Sequence, residues 1–194
     1  MRRVLAAVAV VAALAGCATL SQVAALRKVT FDLDHVSGAT LAGVRLEDKR
    51  SYGDLGGTDV ARLAAAVVTK HVPLAMTIHV AGTNPASNTV TARLIRMEWT
   101  LFIDDVQTVS GRLDREFQFV PGQPTDVPIT VEVDLWDFFG HRAEDLFDLA
   151  LGAAGAGGRT INLKLKATPT IETPIGPITY PSPITIVQRD VSAR

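Results

Sequence analysis

Ile95-Arg96-Met97-Glu98-Trp99-Thr100-Leu101-Phe102-Ile103-Asp104 is the stretch that decides the fold. Ile95, Met97, Trp99, Leu101 and Ile103 alternate with Arg96, Glu98, Thr100, Phe102 and Asp104. An extended chain with this order has one dry face and one wet face, as a strand of an antiparallel sheet does. The same period of two recurs on either side. Val29, Phe31 and Leu33 alternate with Thr30, Asp32 and Asp34, and Leu74, Met76, Ile78 and Val80 alternate with Ala75, Thr77, His79 and Ala81. Further along come Phe117 and Phe119, then Val127, Ile129, Val131, Val133 and Leu135, then Ile161, Leu163 and Leu165. Val90, Ala92 and Leu94 fall on the opposite parity from Ile95 onward, which predicts a bulge near Leu94. Six or more such strands separated by turn residues predict a mainly-β antiparallel sandwich.

Two segments depart from this period and predict short helices. Thr58 followed by Asp59 starts the first, with the acid at the positive end of the helix dipole. Its apolar face is Val60, Leu63, Ala64, Val67 and Val68; Lys70 and His71 sit at the far end and Pro73 prevents continuation. The second runs from about Asp137 to Leu151, with Phe139, Ala143, Leu146, Phe147 and Ala150 on one side. It is expected to dissolve into the glycine-rich run 152–158, read as a flexible loop. Prolines 169, 174, 177, 181 and 183 confine the last strands to edges or short ladders.

Ahead of all this stands a different kind of segment. Arg2 and Arg3 precede an apolar run from Val4 to Ala13, and small residues lead to the only cysteine, Cys17. That layout is a secretory signal, and it is shorter than the roughly 20 apolar residues a spanning helix needs. Leu14-Ala15-Gly16-Cys17 resembles the bacterial lipobox. The resemblance implies cleavage between Gly16 and Cys17 and a diacylglyceryl group on the Cys17 thiol. Residues 1–16 are therefore expected to be a signal peptide, 17–26 a lipidated tether, and 27–190 one domain. With Cys17 lipidated, no disulfide can form within the chain, so the fold must rest on its core. Loss of residues 1–16 leaves 178 of the 194 residues, with 17 Lys and Arg against 20 Asp and Glu, a net charge of −3. Such a balance gives no basic stripe for nucleic acid.

From Pro73 to Ile186 the chain resembles the late embryogenesis abundant (LEA) type 2 domain, also called the water stress and hypersensitive response (WHy) domain. The matching elements come in order: an alternating strand ending in Asn84-Pro85, where Ala86 departs from the motif's second Asn; the long strand carrying Trp99 to the Asp104-Asp105 turn; a step at Thr108 to Gly111; the Pro121-Gly122 turn; the strand Val127 to Leu135; the Asp145 to Phe147 helix pattern; and two final strands. The resemblance implies an immunoglobulin-like or fibronectin III-like sandwich associated with desiccation and other stress, without established catalysis or cofactor. Asn84 itself reads as a former of the strand-end turn, whose amide can bond backbone groups.

Catalytic or metal chemistry is not apparent. His35, His71, His79 and His141 fall in different elements with no helical spacing, whereas zinc needs three or four convergent ligands. Asp32, Asp34 and His35 read as a solvated strand face, Asp104-Asp105 as a hairpin turn, and no GxSxG appears. Trp99, Trp136, Phe139, Leu146 and Phe147 are either core or the lining of an apolar groove beneath the second helix. The expected protein is non-enzymatic, free of metal and cofactor, monomeric, and bound to the membrane through its lipid. Ala18 is not the aspartate of inner-membrane retention, so the outer membrane, facing the periplasm, is its expected place. Two other roles remain open: a binding module for a lipid acyl chain or hydrophobic peptide, and an adaptor subunit of an envelope complex.

Overall fold

The structure, a computed structural model, describes residues 28–139, 142–172 and 176–191. Gly16, Cys17, the tether and His141 lie outside the described residues. The first sheet pairs β1 (Thr30–Leu41), β2 (Val44–Arg45), β3 (Pro73–Thr83) and β7 (Pro124–Asp134) in the order β2-β1-β3-β7. The second pairs β4 (Ala92–Ile103), β5 (Val106–Leu113), β8 (Ile161–Ile171) and β10 (Ile184–Val191) in the order β10-β8-β4-β5. Short β6 (Phe117–Phe119) adds to β4 and β9 (Ile178–Thr179) adds to β8. Every pairing is antiparallel, and the two sheets face one another as a sandwich.

The alternating rows meet in the middle. Leu74, Met76, Ile78 and Val80 of β3 and Val127, Ile129, Val131 and Val133 of β7 are buried, and so are Met97, Trp99, Leu101 and Ile103 of β4. On β4 the parity flips where it was expected to. Leu94 pairs with Ile171 and Arg96 with Thr170, leaving Ile95 as the extra residue of a bulge. Ala92 and Leu94 thereby join the buried row, while Ile95, which the alternation alone puts inward, is only half-buried. Asp104 and Asp105 form the two-residue β4–β5 turn, both with positive φ (48° and 64°), as tight hairpins with right-handed strand twist require.

Both helices differ from their sequence forecasts. The first, α1 (Gly57–Val68), is capped by Gly56 and not by Thr58, although Asp59 does lie in its first turn. It buries Leu63 and Ala66, whereas Ala64 is exposed and Val68 is 81% exposed, so the buried face is narrower than the five residues expected. The second, α2 (Ala143–Ala154), starts later than Asp137: Leu135–Asp137 is a separate 3-10 turn whose start is held by Trp136 N–H donating to Asp134 Oδ1 (3.1 Å). Helix α2 buries Leu146, Phe147, Leu149, Ala150, Leu151, Gly152 and Ala153, more than one face, because it packs against β1, β8, β10 and the turn Tyr52–Asp54.

The glycine run is a packed closure, not the loose loop its composition suggests. Gly152 lies inside α2, where an added Cβ would collide with the Arg159 carbonyl oxygen. Gly155, at φ +66°, ends the helix in the left-handed conformation that glycine adopts without steric cost. The Arg50 guanidinium then donates to the Ala156 carbonyl (2.9 Å). Small residues are needed here because backbone meets backbone.

Candidate functional site: an apolar cleft between the sheets

Asn84 closes one side of the sandwich. Its side chain is fully buried (0% exposed); Nδ2 donates to the carbonyls of Phe119 (2.7 Å) and Val90 (3.1 Å), and Oδ1 accepts from Asn88 Nδ2 (2.7 Å). The Asn84 carbonyl accepts from Gly122 N–H (2.8 Å). The buried amide, with its hydrogen-bonding groups engaged, ties the end of β3 to the start of β4 and to β6, and the Asn84 carbonyl ties it to the Pro121-Gly122 turn. Pro85 contributes by keeping Asn84 out of helical geometry, and its carbonyl accepts from Asn88 N–H (2.9 Å).

The five residues of the expected groove do not converge. Trp99 is 7% exposed and lies against Gly111, its β5 partner, where an added Cβ would overlap the indole. Phe147 is fully buried and meets Tyr52 edge to face (ring centroids 5.7 Å). Phe139 and Leu146 border a shallow depression with Asp145 and Arg159, and half-buried Trp136 sits on the 3-10 turn before α2. Helix α2 packs against β1, β8 and β10, and of the five residues only Phe139 and Leu146 share that depression among the described residues.

The apolar opening lies elsewhere, between β1 and the β8–β10 side of the second sheet. It is a cleft of about 340 Å³ whose walls include Val29, Phe31, Leu94, Met97, Ile184 and Ile186, with Tyr180 and Ser182 among its lining residues. Its origin is local. The β10–β8 ladder begins only at Ile184 opposite Ala167, and before it Pro169, Pro181 and Pro183 lack the N–H groups that would extend the pairing. Phe31 is held as a wall by Phe119, edge to face at 5.6 Å, and Phe119 in turn lies where a side chain on Gly82 would be. Beyond the cleft, β1 and β10 run close together without a ladder, linked by Arg189 Nη1 donating to the Leu33 carbonyl (2.9 Å). The sequence shows the walls as strand residues and the prolines as ladder breakers; their meeting across 150 positions carries no local signal.

Polar side chains mostly staple strands. His35 and His79 stack on the outer face of the first sheet (4.2 Å between ring centroids), made neighbours by the β1 irregularity between Leu33 and His35. His35 Nδ1 meets Asp34 Oδ2, and His79 Nδ1 meets Asp126 Oδ2, each at 2.9 Å. Asp134 gathers Val72 N–H (2.9 Å), Trp136 N–H and the His71 ring (2.5 Å). Its partial burial would raise the carboxyl pKa, but the two backbone N–H donors and His71 outweigh that and hold it below the usual carboxylate value. The Arg96 guanidinium does the same for Asp114, and that of Arg93 for Glu116. Among the described residues, no group of three or more His, Cys, Asp or Glu is arranged to hold a metal ion. Nor is any described helix long and apolar enough to cross a membrane.

No family model matches the chain, and no curated protein matches it. Solved structures similar to it include a crystal structure of a protein from Archaeoglobus fulgidus, 11% identical over 63% of this chain and 86% of that one, with a TM-score of 0.35. Another is the solution structure of a candidate LEA protein, 16% identical over 99% of this chain and 89% of that one, with a TM-score of 0.39.

Proposed function

We propose that the protein is a non-catalytic, lipid-anchored envelope protein of the LEA type 2 kind, contributing to desiccation or stress tolerance or to envelope integrity. The observation that carries this is the place of Asn84-Pro85. These residues end the strand on which the resemblance to that domain opens, and there the Asn84 side chain bonds Val90, just ahead of β4, and Phe119 of β6, while the Asn84 backbone carbonyl accepts from the Pro121-Gly122 turn. The ordered strands, the hairpin at Asp104-Asp105 and the helix bearing Asp145 to Phe147 follow in the sequence order of the resemblance. Anchoring through Cys17 rests on the Leu-Ala-Gly-Cys signal alone.

Two measurements test the proposal. Radiolabelled palmitate fed to producing cells should label the protein and fail to label Cys17→Ala; label on the variant removes the anchor assignment. A strain lacking the gene should lose viability after drying or osmotic shock and regain it with the wild-type gene but not with Cys17→Ala. Equal survival of all strains, with intact resistance to detergent, would refute the stress and envelope role.

A further inference from the structure

We propose that the cleft between β1 and the β8–β10 side of the second sheet holds one acyl chain of a membrane phospholipid. Position relative to the membrane rests on the anchoring read from Cys17; the cleft itself does not.

Chemistry selects the occupant. The residues around the cleft are hydrocarbon or aromatic apart from Ser182 and the Tyr180 hydroxyl, and no charged side chain is among them. A volume of about 340 Å³ falls in the range of small-molecule sites, which are mostly apolar with few polar groups. Water in such a space finds few partners, and leaving it empty forfeits the dispersion contacts a close-packed interior makes. A peptide would bring N–H and C=O groups between walls of apolar side chains, where unpaired backbone groups are costly. A saturated chain brings only methylenes, and its polar head can stay at the rim, where Pro181 and Ser182 are exposed.

Access and location point the same way. No ladder joins β1 to β10 among the described residues, so the seam can widen without breaking backbone pairing. Val29 and Phe31 line the cleft, and only residues 18–27 separate Cys17 from Lys28. Ten residues reach at most about 36 Å. An anchored molecule therefore carries the cleft within that distance of the bilayer surface, where phospholipid is the abundant source of acyl chains.

The test uses the full chain in its producing cells, grown with a diazirine-bearing fatty acid that enters their phospholipids. After irradiation, tryptic peptides are searched for phospholipid adducts. Adducts should concentrate on peptides 29–45, 97–112 and 167–189, which carry the walls other than Leu94. Ile184→Glu, placing a carboxylate at the half-buried wall, should lower them at least tenfold, and Val68→Glu on α1 should leave them unchanged. Uniform labelling of exposed residues, absence of adducts, or undiminished adducts in folded Ile184→Glu would overturn the proposal. Adducts joining a wall peptide to the Cys17 peptide would overturn it too, by showing the protein's own anchor as occupant. If Ile184→Glu does not accumulate, the peptide map of the unaltered chain decides alone. The acyl state of the Cys17 peptide is read in the same spectra, so a failure of anchoring and an empty cleft are separate results.

Discussion

The two long sides of this sandwich are built from similar residues and end differently. On the side of β6 and β7, Phe119 fills the space over Gly82, and the Asn84 amide bonds the strand ends around it. On the side of β1 and β10, aromatic and aliphatic side chains face one another with a cleft between them and one arginine bond across the seam. Apolar composition is common to both. What separates them is whether the backbone can pair: a buried amide supplies hydrogen bonds on the first side, and prolines withhold donors on the second.

The sharpest way to break this comparison is to remove one large side chain from each side. Phe119→Ala should destabilise by about 3 to 5 kcal/mol, the usual range for emptying a fully buried aromatic site. Ile184→Ala, at a wall that already faces space, should lose about 1 kcal/mol. Urea midpoints for both variants check this, and equal shifts would mean that the cleft is as tightly packed as the closed side. Within the second sheet, Trp99→Ala should likewise lose about 3 to 5 kcal/mol, and Phe102→Ala much less. Phe102 lies on the outer face beside Lys166, with Nζ 5.1 Å from its ring centroid. Comparable losses would show that the outer face of β4 is covered.

Asn84→Ala comes next, at about 2 to 3 kcal/mol, because the Phe119 carbonyl and the Asn88 amide lose a buried partner. If thermal melting shows less than 1 kcal/mol, the closed side does not depend on its amide. A smaller effect is expected in acid. Asp134 has a folded pKa below its unfolded value, so its contribution is present above about pH 4 and is lost as pH falls through the folded pKa. Asp134→Asn should therefore lower stability at neutral pH and flatten its decline as the pH falls below about 4; an unchanged acid slope would refute the assignment. Smallest of all, Val68→Ser on the exposed face of α1 should stay within about 0.5 kcal/mol of wild type, and a larger loss in the same melts would indicate a partner on that face.

The sequence was most informative where one local rule acts. Alternation in Leu74 to Val80 and Val127 to Val133 follows from the two-residue period of a strand, and the parity flip before Met97 announced the bulge at Ile95. Asp104-Asp105 was legible as a turn for the same reason. The helices were less so. Periodicity reports which residues could face a core but not how many neighbours surround the helix: α1 leaves Val68 in solvent, and α2 is enclosed on several sides. The run 152–158 misled because glycine serves both loose chain and close backbone approach, and only the positions of Arg50 and Arg159 distinguish them. The cleft was hidden for a related reason. Its walls come from both ends of the chain, and no window of sequence contains Phe31 together with Ile186.

The bond from Arg189 to the Leu33 carbonyl spans 156 positions. Closing a loop of that size carries a larger entropic cost than joining β3 to β7 or β4 to β5, and contacts of such separation tend to be slow to form. Of the described strands, β1 emerges first from the N-terminal side and β10 last. The seam is thus where synthesis order and native geometry are furthest apart, and the apolar wall of β1 waits longest for its other half. A hydrophobic surface exposed during that interval is a place where a nascent chain can associate wrongly, so the wall of β1 is where the topology leaves the molecule most vulnerable.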